Sequence, residues 1–333
     1  SRGLGDVYKR QFKTTAMYDE WNKMGAVWGQ QYGLEVPNYF AHPDEPRYET
    51  PSFRRSNAWE ATRREVLAVR NAVGINEVQN FGKYSVTGPG ARAWIDRIMA
   101  GRVARPGRLS LTPMLSQQGR LIGDFTVSCL SQNAFQLTAS YGAQAFHERW
   151  FRQHLDPDVT LENLSDQRTG FQIAGPKAFE VLSDVCQIQP LGMSFLDVRK
   201  MTLGLYDCLV QRVSYTGDLG FEIYIDRMHQ RGLFDLLWAA GQRHGMQPFG
   251  MRAMMSLRLD KFFGSWMNEY SPDYTAGETG LDRFIDFNKP VDFIGRAAAE
   301  KERSAGPARC LVAFEVDAED ADVTAYEPVW IDG

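Results

Sequence analysis

The chain has 333 residues, of which 44% are hydrophobic and 23% charged, a composition typical of a globular protein large enough for more than one packed unit. Its net charge of −4 gives no electrostatic reason to expect nucleic acid or an anionic membrane as a partner. No apolar run reaches the roughly 18 residues that span a bilayer. The four scattered cysteines favour reduced thiols in the cytoplasm, or in the mitochondrial matrix if the source is eukaryotic.

The first residues carry little pattern. Residues 1–11 have no signal-peptide character, and we interpret them as an expression or sequence-assembly remnant. Residues 12–48 are aromatic and without clean periodicity, which indicates a connecting segment that wraps over a domain.

An internal repeat organises the middle of the chain. Gly88-Pro89 and Gly175-Pro176 each end a strand-like run and open an apolar-periodic helix, because Gly releases the strand and Pro fixes φ for the first helical turn. Strand-like pairs follow each corner, at 114–115 with 121–130 and at 201–206 with 208–214. A helix closes each unit, at 143–154 and at 229–244. The pattern predicts two facing α+β subdomains with a ligand cleft between them, with coincidence as the alternative because Gly-Pro is common in turns.

The most informative stretch is Ser214–Tyr224. Gly217 to Gly220 predict a turn, and the apolar residues that follow predict a buried strand that carries one acid, Glu222. A buried carboxylate needs hydrogen-bond donors. Glu222 therefore either points to solvent by strand alternation or lies at a cavity wall and accepts from a ligand's N–H groups.

Asp124 is the second acid of this kind. It lies in the strand-like run 121–127, where Gly123 allows close backbone approach, and we expect it at a place in the first unit comparable to that of Glu222 in the second. Two carboxylates from facing halves are suited to bind a ligand with several N–H groups, and one can serve as a general base. The alternative is that Asp124 faces water.

Two other kinds of site are not expected. No Gly-x-Gly-x-x-Gly follows a strand, so we predict no dinucleotide site. The five histidines lack metal-ligand spacing, so we predict no metal site. Residues 249–263 are apolar at helical spacing and predict a buried helix.

Taken together, residues 81–89, 119–124, 214–224 and 258–260 resemble the signatures of the aminomethyltransferase family, the folate-binding T-proteins of the glycine cleavage system. The longer blocks 49–81, 250–274 and 282–298 resemble more specifically the folate half of dimethylglycine and sarcosine dehydrogenases, which follows a flavin domain. The resemblance covers about residues 49–333, and residues 18–39 are similar to the linker that leaves the flavin half.

The resemblance implies an α+β fold with two pseudo-repeated subdomains, residues 49–155 and 156–295, which together form the folate-binding domain. Residues 12–48 would be the linker from a missing flavin domain. Strand-like runs at 310–316 and 328–331, followed by the hairpin-turn dipeptide Asp332-Gly333, lead us to expect that residues 296–333 begin a truncated C-terminal β-barrel. The lobes would form a cloverleaf around a central folate pocket.

The resemblance also implies the roles of the site residues. Asp124 would be the catalytic acid/base beside the reacting nitrogens of tetrahydrofolate, and Glu222 would hold the pterin edge. The remaining cofactor-binding positions would be Tyr215, Phe81, Thr126, Ser140 and Phe263. The chain departs from the family in having Gly123 before Asp124 in place of a second Asp, and Leu111 and Phe263 in place of tyrosines, so contacts through those hydroxyls are not implied.

The implied reaction is tetrahydrofolate-dependent one-carbon transfer. It would form 5,10-methylenetetrahydrofolate from the iminium or formaldehyde that a flavin domain of the same parent chain, carrying FAD, releases from dimethylglycine or sarcosine. The partner is a small methylamine-derived one-carbon donor, with neither nucleic acid nor membrane. The alternatives are a non-catalytic folate-binding or assembly protein and a folate-dependent demethylase of another small methylated compound.

Overall fold

The computed structural model describes residues 13–186, 192–323 and 327–330. The strands of this part are Ala26–Gln31 (β1), Leu34–Phe40 (β2), Val73–Glu77 (β3), Phe81–Thr87 (β4), Arg108–Leu115 (β5), Leu121–Ser131 (β6), Ala134–Ser140 (β7), Thr160–Asn163 (β8), Arg168–Ala174 (β9), Val198–Leu203 (β10), Tyr206–Gln211 (β11), Gly220–Asp226 (β12) and Met246–Pro248 (β13). The helices are Tyr18–Lys23 (α1), Ala58–Asn71 (α2), Ala91–Ile98 (α3), Gln144–Gln153 (α4), Ala178–Val185 (α5), Gln230–Gln242 (α6), Met251–Leu259 (α7), Ala276–Thr279 (α8) and Arg296–Ala305 (α9). Short 3₁₀ turns lie at Tyr141–Ala143, Arg227–His229 and Leu281–Phe284.

The two larger sheets carry the predicted repeat. One has six strands in the order β10-β11-β12-β9-β3-β13, and the other has five in the order β5-β6-β7-β4-β8. Apart from β13, the orders match strand for strand, and each Gly-Pro corner leads from the matching strand into a helix, α3 or α5. Gly88 and Gly175 have φ of 121° and 129°, a region that Gly enters without steric cost. The repeat and its α+β character are confirmed.

The repeat also corrects one expectation. Asp124 lies on β6, whose counterpart is β11, whereas Glu222 lies on β12, whose counterpart is β7. The two acids therefore do not occupy equivalent positions. The expectation failed because the sequence pattern does not show which strand of its unit each acid joins.

The sheets do not separate at residues 155 and 156. Strand β3 pairs with β9 and belongs to the six-stranded sheet, while β8 pairs with β4 and belongs to the five-stranded one. Each unit thus contributes a strand to the other unit's sheet, which ties the two halves together through backbone hydrogen bonds.

Most predicted elements lie where the pattern placed them. The closing helices are α4 and α6, and the buried helix is α7. The predicted strand at 201–206 is wrong in its bounds, since β10 ends at Leu203 and β11 begins at Tyr206. Gly204, with φ of 57°, makes the turn between them. The turn was not predicted because apolar residues stand on both sides of it.

Residues 13–40 are more than a covering segment. They form α1 and the β1–β2 hairpin, and Trp21 of α1 is 1% exposed within the core of the six-stranded sheet. Its Nε1 donates a 2.7 Å hydrogen bond to Oε2 of Glu77 on β3. Glu77 also accepts from the side chains of Thr15 and Gln230, so one buried carboxylate joins this segment to the sheet.

The predicted barrel strands are wrong for the described residues. After α9, the described residues form no helix or strand, and Phe314 and Val316 are 62% and 52% exposed. A strand needs a neighbouring strand to satisfy its backbone groups, but the described residues of this segment join the body through isolated backbone hydrogen bonds, Leu311 N to Glu278 O at 2.8 Å and Arg55 N to Asp320 O at 2.9 Å. Residues 328–330 are likewise not a strand. Residues 1–11, residue 331 and the Asp332-Gly333 turn lie outside the described part.

Each large sheet buries one face beneath helices. Helices α1, α5 and α6 cover the six-stranded sheet, and α3 and α4 cover the five-stranded one. Nowhere in the described ranges is a helix both long and apolar enough to cross a membrane. The remaining faces of the sheets meet around a cavity.

Candidate active site

A cavity of about 730 Å³ lies where the two sheets meet α7 and the loop that follows it. This volume is in the usual range for a site that encloses a small organic ligand. The structure places every predicted site residue on its wall: Phe81, Asp124, Thr126, Ser140, Tyr215, Glu222 and Phe263. Bringing them together required both sheets, although their roles stay predictions.

Asp124 is half-buried on β6 and lines the cavity. Within the described part of the chain, the only hydrogen bond to its carboxylate comes from its own backbone N–H. Burial raises the pKa of Asp124 from 3.8 to about 6. At neutral pH the group is therefore mostly ionised but considerably more basic than an ordinary aspartate, which suits a general base.

The departure at Gly123 has a steric cause. A Cβ at this position would lie 2.6 Å from Nε2 of His147 and 2.6 Å from a ring carbon of Phe125. The His147 ring is 1% exposed, and burial lowers its pKa to about 3, so it is neutral. The rings of His147 and Phe125 thus fill the space that a second aspartate would need, and any side chain at 123 must displace them.

Glu222 lies on β12, is 6% exposed and lines the same cavity, so the solvent-facing alternative does not hold. Tyr224 donates a 2.7 Å hydrogen bond to its Oε2, because residues i and i+2 of a strand share a face. Oε1 receives no hydrogen bond from the described residues. Burial raises the pKa of Glu222 to about 7, against the opposing effects of Tyr224 and Lys83.

Lys83 provides the nearby positive charge. It is fully buried on β4, where its Nζ donates to the carbonyl of Val78 at 2.8 Å. Burial lowers its pKa to about 7, while the carboxylates of Asp166, Glu77 and Glu222 act in the opposite direction. Lys83 and Glu222 are therefore both poised to change charge near neutral pH.

Tyr215 and Phe263 form one wall. Their rings stack with centroids 6.2 Å apart, and the Tyr215 hydroxyl donates a 2.6 Å hydrogen bond to the carbonyl of Gly264. Burial raises the pKa of Tyr215, and the charge of Asp124 adds to that effect. The Tyr215 hydroxyl is thus committed to the backbone, and its ring is what it offers to a ligand.

Sequence reasoning missed several cavity residues. Tyr270 is 4% exposed, lines the cavity, and is close enough to Asp124 for that charge to raise its pKa in addition to burial. Trp266 lines the same wall and packs against His147, with centroids 5.8 Å apart. Both lie in an irregular loop, where no periodicity shows which side chains point inward. Leu111 also lines the cavity, so at this position the wall offers a ligand an apolar side chain and no hydroxyl.

Comparison with known proteins agrees with this geometry. A family model described as the GCVT N-terminal domain matches residues 17–289. An aminomethyltransferase of Natranaerobius thermophilus is 31% identical over 255 residues, covering 76% of this chain and 70% of the relative. The chain belongs to the GCVT aminomethyltransferase family. The resemblance predicted from the motifs is confirmed.

The similarity to a longer protein extends over more of this chain. Human mitochondrial dimethylglycine dehydrogenase is 31% identical over 310 residues, which are 92% of this chain but 36% of that protein. The chain therefore spans little more than a third of the length of this relative.

Among solved structures, the glycine cleavage system aminomethyltransferase T from Bartonella henselae superposes with a TM-score of 0.77 at 23% identity. The match covers 90% of this chain and 77% of that one. It establishes that this member of the family has the T-protein fold.

Proposed function

We propose that this aminomethyltransferase-family chain catalyses tetrahydrofolate-dependent one-carbon transfer, with 5,10-methylenetetrahydrofolate as product. The observation that carries the proposal is the cavity in which Asp124, from one sheet, and Glu222, from the other, line a common wall. Membership of the GCVT family supports folate as the ligand.

The residues present fit tetrahydrofolate. The pterin ring presents several N–H donors along one edge, and Oε1 of Glu222, a residue that is 6% exposed, receives no hydrogen bond from the described residues and is left to accept one from a ligand. Apolar and aromatic side chains dominate the surrounding wall: Phe81, Leu111, Tyr215, Met251, Met255 and Phe263. A flat, partly polar ligand matches walls of this kind.

In this proposal Glu222 binds and orients the ligand, and Tyr224 orients Glu222. Bound tetrahydrofolate supplies the nucleophilic nitrogens that accept the one-carbon unit. As the two N–C bonds form, the carbon loses its bond to the donor's oxygen or amine nitrogen, and Asp124, in its ionised state, accepts a proton from the folate nitrogens and passes it to the departing water or amine. The apolar walls exclude water, and holding donor and acceptor together supplies much of the rate by proximity.

The donor is a further part of the proposal. The similarity to human dimethylglycine dehydrogenase over 92% of this chain supports an iminium or formaldehyde equivalent derived from dimethylglycine or sarcosine. A flavin domain with FAD, in the same parent chain, would generate it. Other small methylated amines would fit the same chemistry, so the donor must be determined by experiment.

The test measures formation of methylenetetrahydrofolate. The chain is mixed with tetrahydrofolate and formaldehyde, or with a purified flavin dehydrogenase oxidising dimethylglycine or sarcosine. Product is followed through a coupled NADP-dependent dehydrogenase. We expect a rate well above the spontaneous condensation. Folate binding with no rate above that background would instead support the non-catalytic alternative, and absence of binding would refute both.

A further inference from the structure

Asp218 is a carboxylate of the cavity wall that the proposed mechanism does not use. It lies in the turn that leads into β12, in the same motif as Glu222, and lines the cavity. Its Oδ1 accepts a 2.7 Å hydrogen bond from Nη1 of Arg70. Its Oδ2 is buried and has no hydrogen-bond partner within the described residues. A buried carboxylate oxygen without a donor is costly unless a ligand supplies one.

Arg70 holds this carboxylate from outside the cavity. It lies in the last turn of α2, and its second terminal nitrogen, Nη2, pairs with Asp260 at the end of α7. The side chain of Asp218 is 18% exposed and that of Asp260 is 66% exposed. The planar guanidinium thus bridges a half-buried acid and a surface acid with a fixed geometry.

The turn itself is held on a second side. Lys261, just beyond α7, lies over Gly217 so closely that a Cβ there would come within 2.2 Å of its Cγ. Tyr215, at the start of the same turn, is tied to Gly264. The orientation of Asp218 is therefore set by contacts on both sides before any ligand arrives, which lowers the cost of binding one.

We propose that Asp218 is a further ligand-binding residue, whose Oδ2 accepts a hydrogen bond from an N–H group of the bound folate, and that Arg70 is the positioning residue that holds it. The proposal rests on the proposed function, because it takes the ligand to be a folate. Asp218 would be a second hydrogen-bond acceptor for the ligand beside Glu222, from the turn of the same motif.

The experiment measures the Kd of tetrahydrofolate by calorimetry for the 333-residue chain and two matched variants. In Asp218→Asn the amide oxygen stays on Arg70, so an NH₂ donor takes the place of Oδ2, the atom that we propose accepts from the ligand's N–H. We expect the Kd to rise about tenfold to a hundredfold, as for loss of a hydrogen bond to a charged group. Asp260→Asn likewise keeps an oxygen on Arg70 and removes only the charge of its exposed partner, so it should leave the Kd within about twofold of wild type.

Arg70→Met tests the positioning role of Arg70 and keeps the Asp218 carboxylate. It therefore tests the same contact even if Asp218→Asn does not fold. We expect a raised Kd, and no additional rise when Arg70→Met is combined with Asp218→Asn, because both act on one contact. In turnover, KM for folate should rise with kcat nearly unchanged, whereas a general distortion of the cavity would lower kcat as well.

The outcomes separate the two proposals. Wild-type protein that does not bind tetrahydrofolate refutes the proposed function and this inference with it. Wild-type protein that binds, with an unchanged Kd in Asp218→Asn or Arg70→Met, overturns this inference alone.

Discussion

Asp124 and Glu222 lie on different sheets, β6 and β12, yet line one cavity. Asp124 belongs to the five-stranded sheet and Glu222 to the six-stranded sheet, so the two carboxylates come together only when the sheets pack against each other. Their surroundings also differ. Among the described residues, the Asp124 carboxylate accepts only its own backbone N–H, whereas Glu222 accepts from Tyr224 and lies near the positive charge of Lys83. This difference supports the proposal that Asp124 transfers the proton and Glu222 recognises the ligand.

Replacing Asp124 with Asn should lower kcat of methylene transfer by about a hundredfold to ten-thousandfold. The amide cannot accept the proton, but it keeps the size of the side chain, so folate affinity should change little. Steady-state kinetics and calorimetry on one preparation measure both quantities. Asp235→Asn, at an exposed position of α6, is the matched control. Unchanged turnover in the Asp124 variant would remove its assigned role.

The pH dependence should show both carboxylates. Burial raises the pKa of Glu222 to about 7 and that of Asp124 to about 6, so both are ionised above these values and protonate as pH falls. We expect log kcat/KM of the wild type to fall below about pH 6 with a slope of about 2, and that of Asp124→Asn with a slope of about 1. Equal slopes in the two proteins would argue against Asp124 as the base.

Tyr224→Phe should weaken folate binding without touching the reacting atoms. Its hydroxyl donates to Glu222 at 2.7 Å and so favours the charged carboxylate, and its loss should raise the pKa of Glu222 further. At pH 7.5 we expect KM for folate to rise about threefold to tenfold, with kcat less affected. Tyr48→Phe, at a residue that is 64% exposed, should change neither. A fall in kcat alone would contradict this account.

Gly123→Ala should destabilise the fold by about 1–3 kcal/mol, because the new Cβ would press on His147 at 2.6 Å. In a His147→Ala background the same change should cost less but not nothing, since one of the two rings that block the space is gone while Phe125 remains. Urea denaturation of both single variants and the double variant gives the coupling free energy. Additive effects would show that His147 is not what excludes a side chain at 123.

Glu77→Gln should cost about 1–3 kcal/mol of unfolding free energy. The carboxylate accepts from Thr15, Trp21 and Gln230, and an amide would turn an NH₂ group toward one of these donors. Glu180→Gln breaks a partly exposed i,i+3 pair with Lys177 and should cost less than about 0.5 kcal/mol. Similar losses in both variants, measured by urea denaturation, would mean that Glu77 does not anchor residues 13–40.

The limits of sequence-based inference are visible at particular residues. The Gly-Pro corners predicted two strand-to-helix units, since the φ requirements of Gly and Pro are local and independent of the rest of the fold. The turn at Gly204 and the inward direction of Tyr270 were missed, because apolar residues flank the first and no period governs the loop of the second. The strand at 310–316 was predicted from its apolar pattern, but pattern alone cannot supply the neighbouring strand that would pair with it.

The sequence by itself determined the repeat, the family and seven of the residues that line the cavity, because motifs and local backbone preferences are written in adjacent residues. Only the tertiary structure decided that Asp124 and Glu222 sit on non-equivalent strands, that β3 and β8 cross between the sheets, and that His147 and Phe125 exclude a side chain at Gly123. These features depend on which surfaces meet in space. Contacts between residues far apart in the chain, such as Arg70 with Asp218, have no local signature and arise only when the sheets and helices pack.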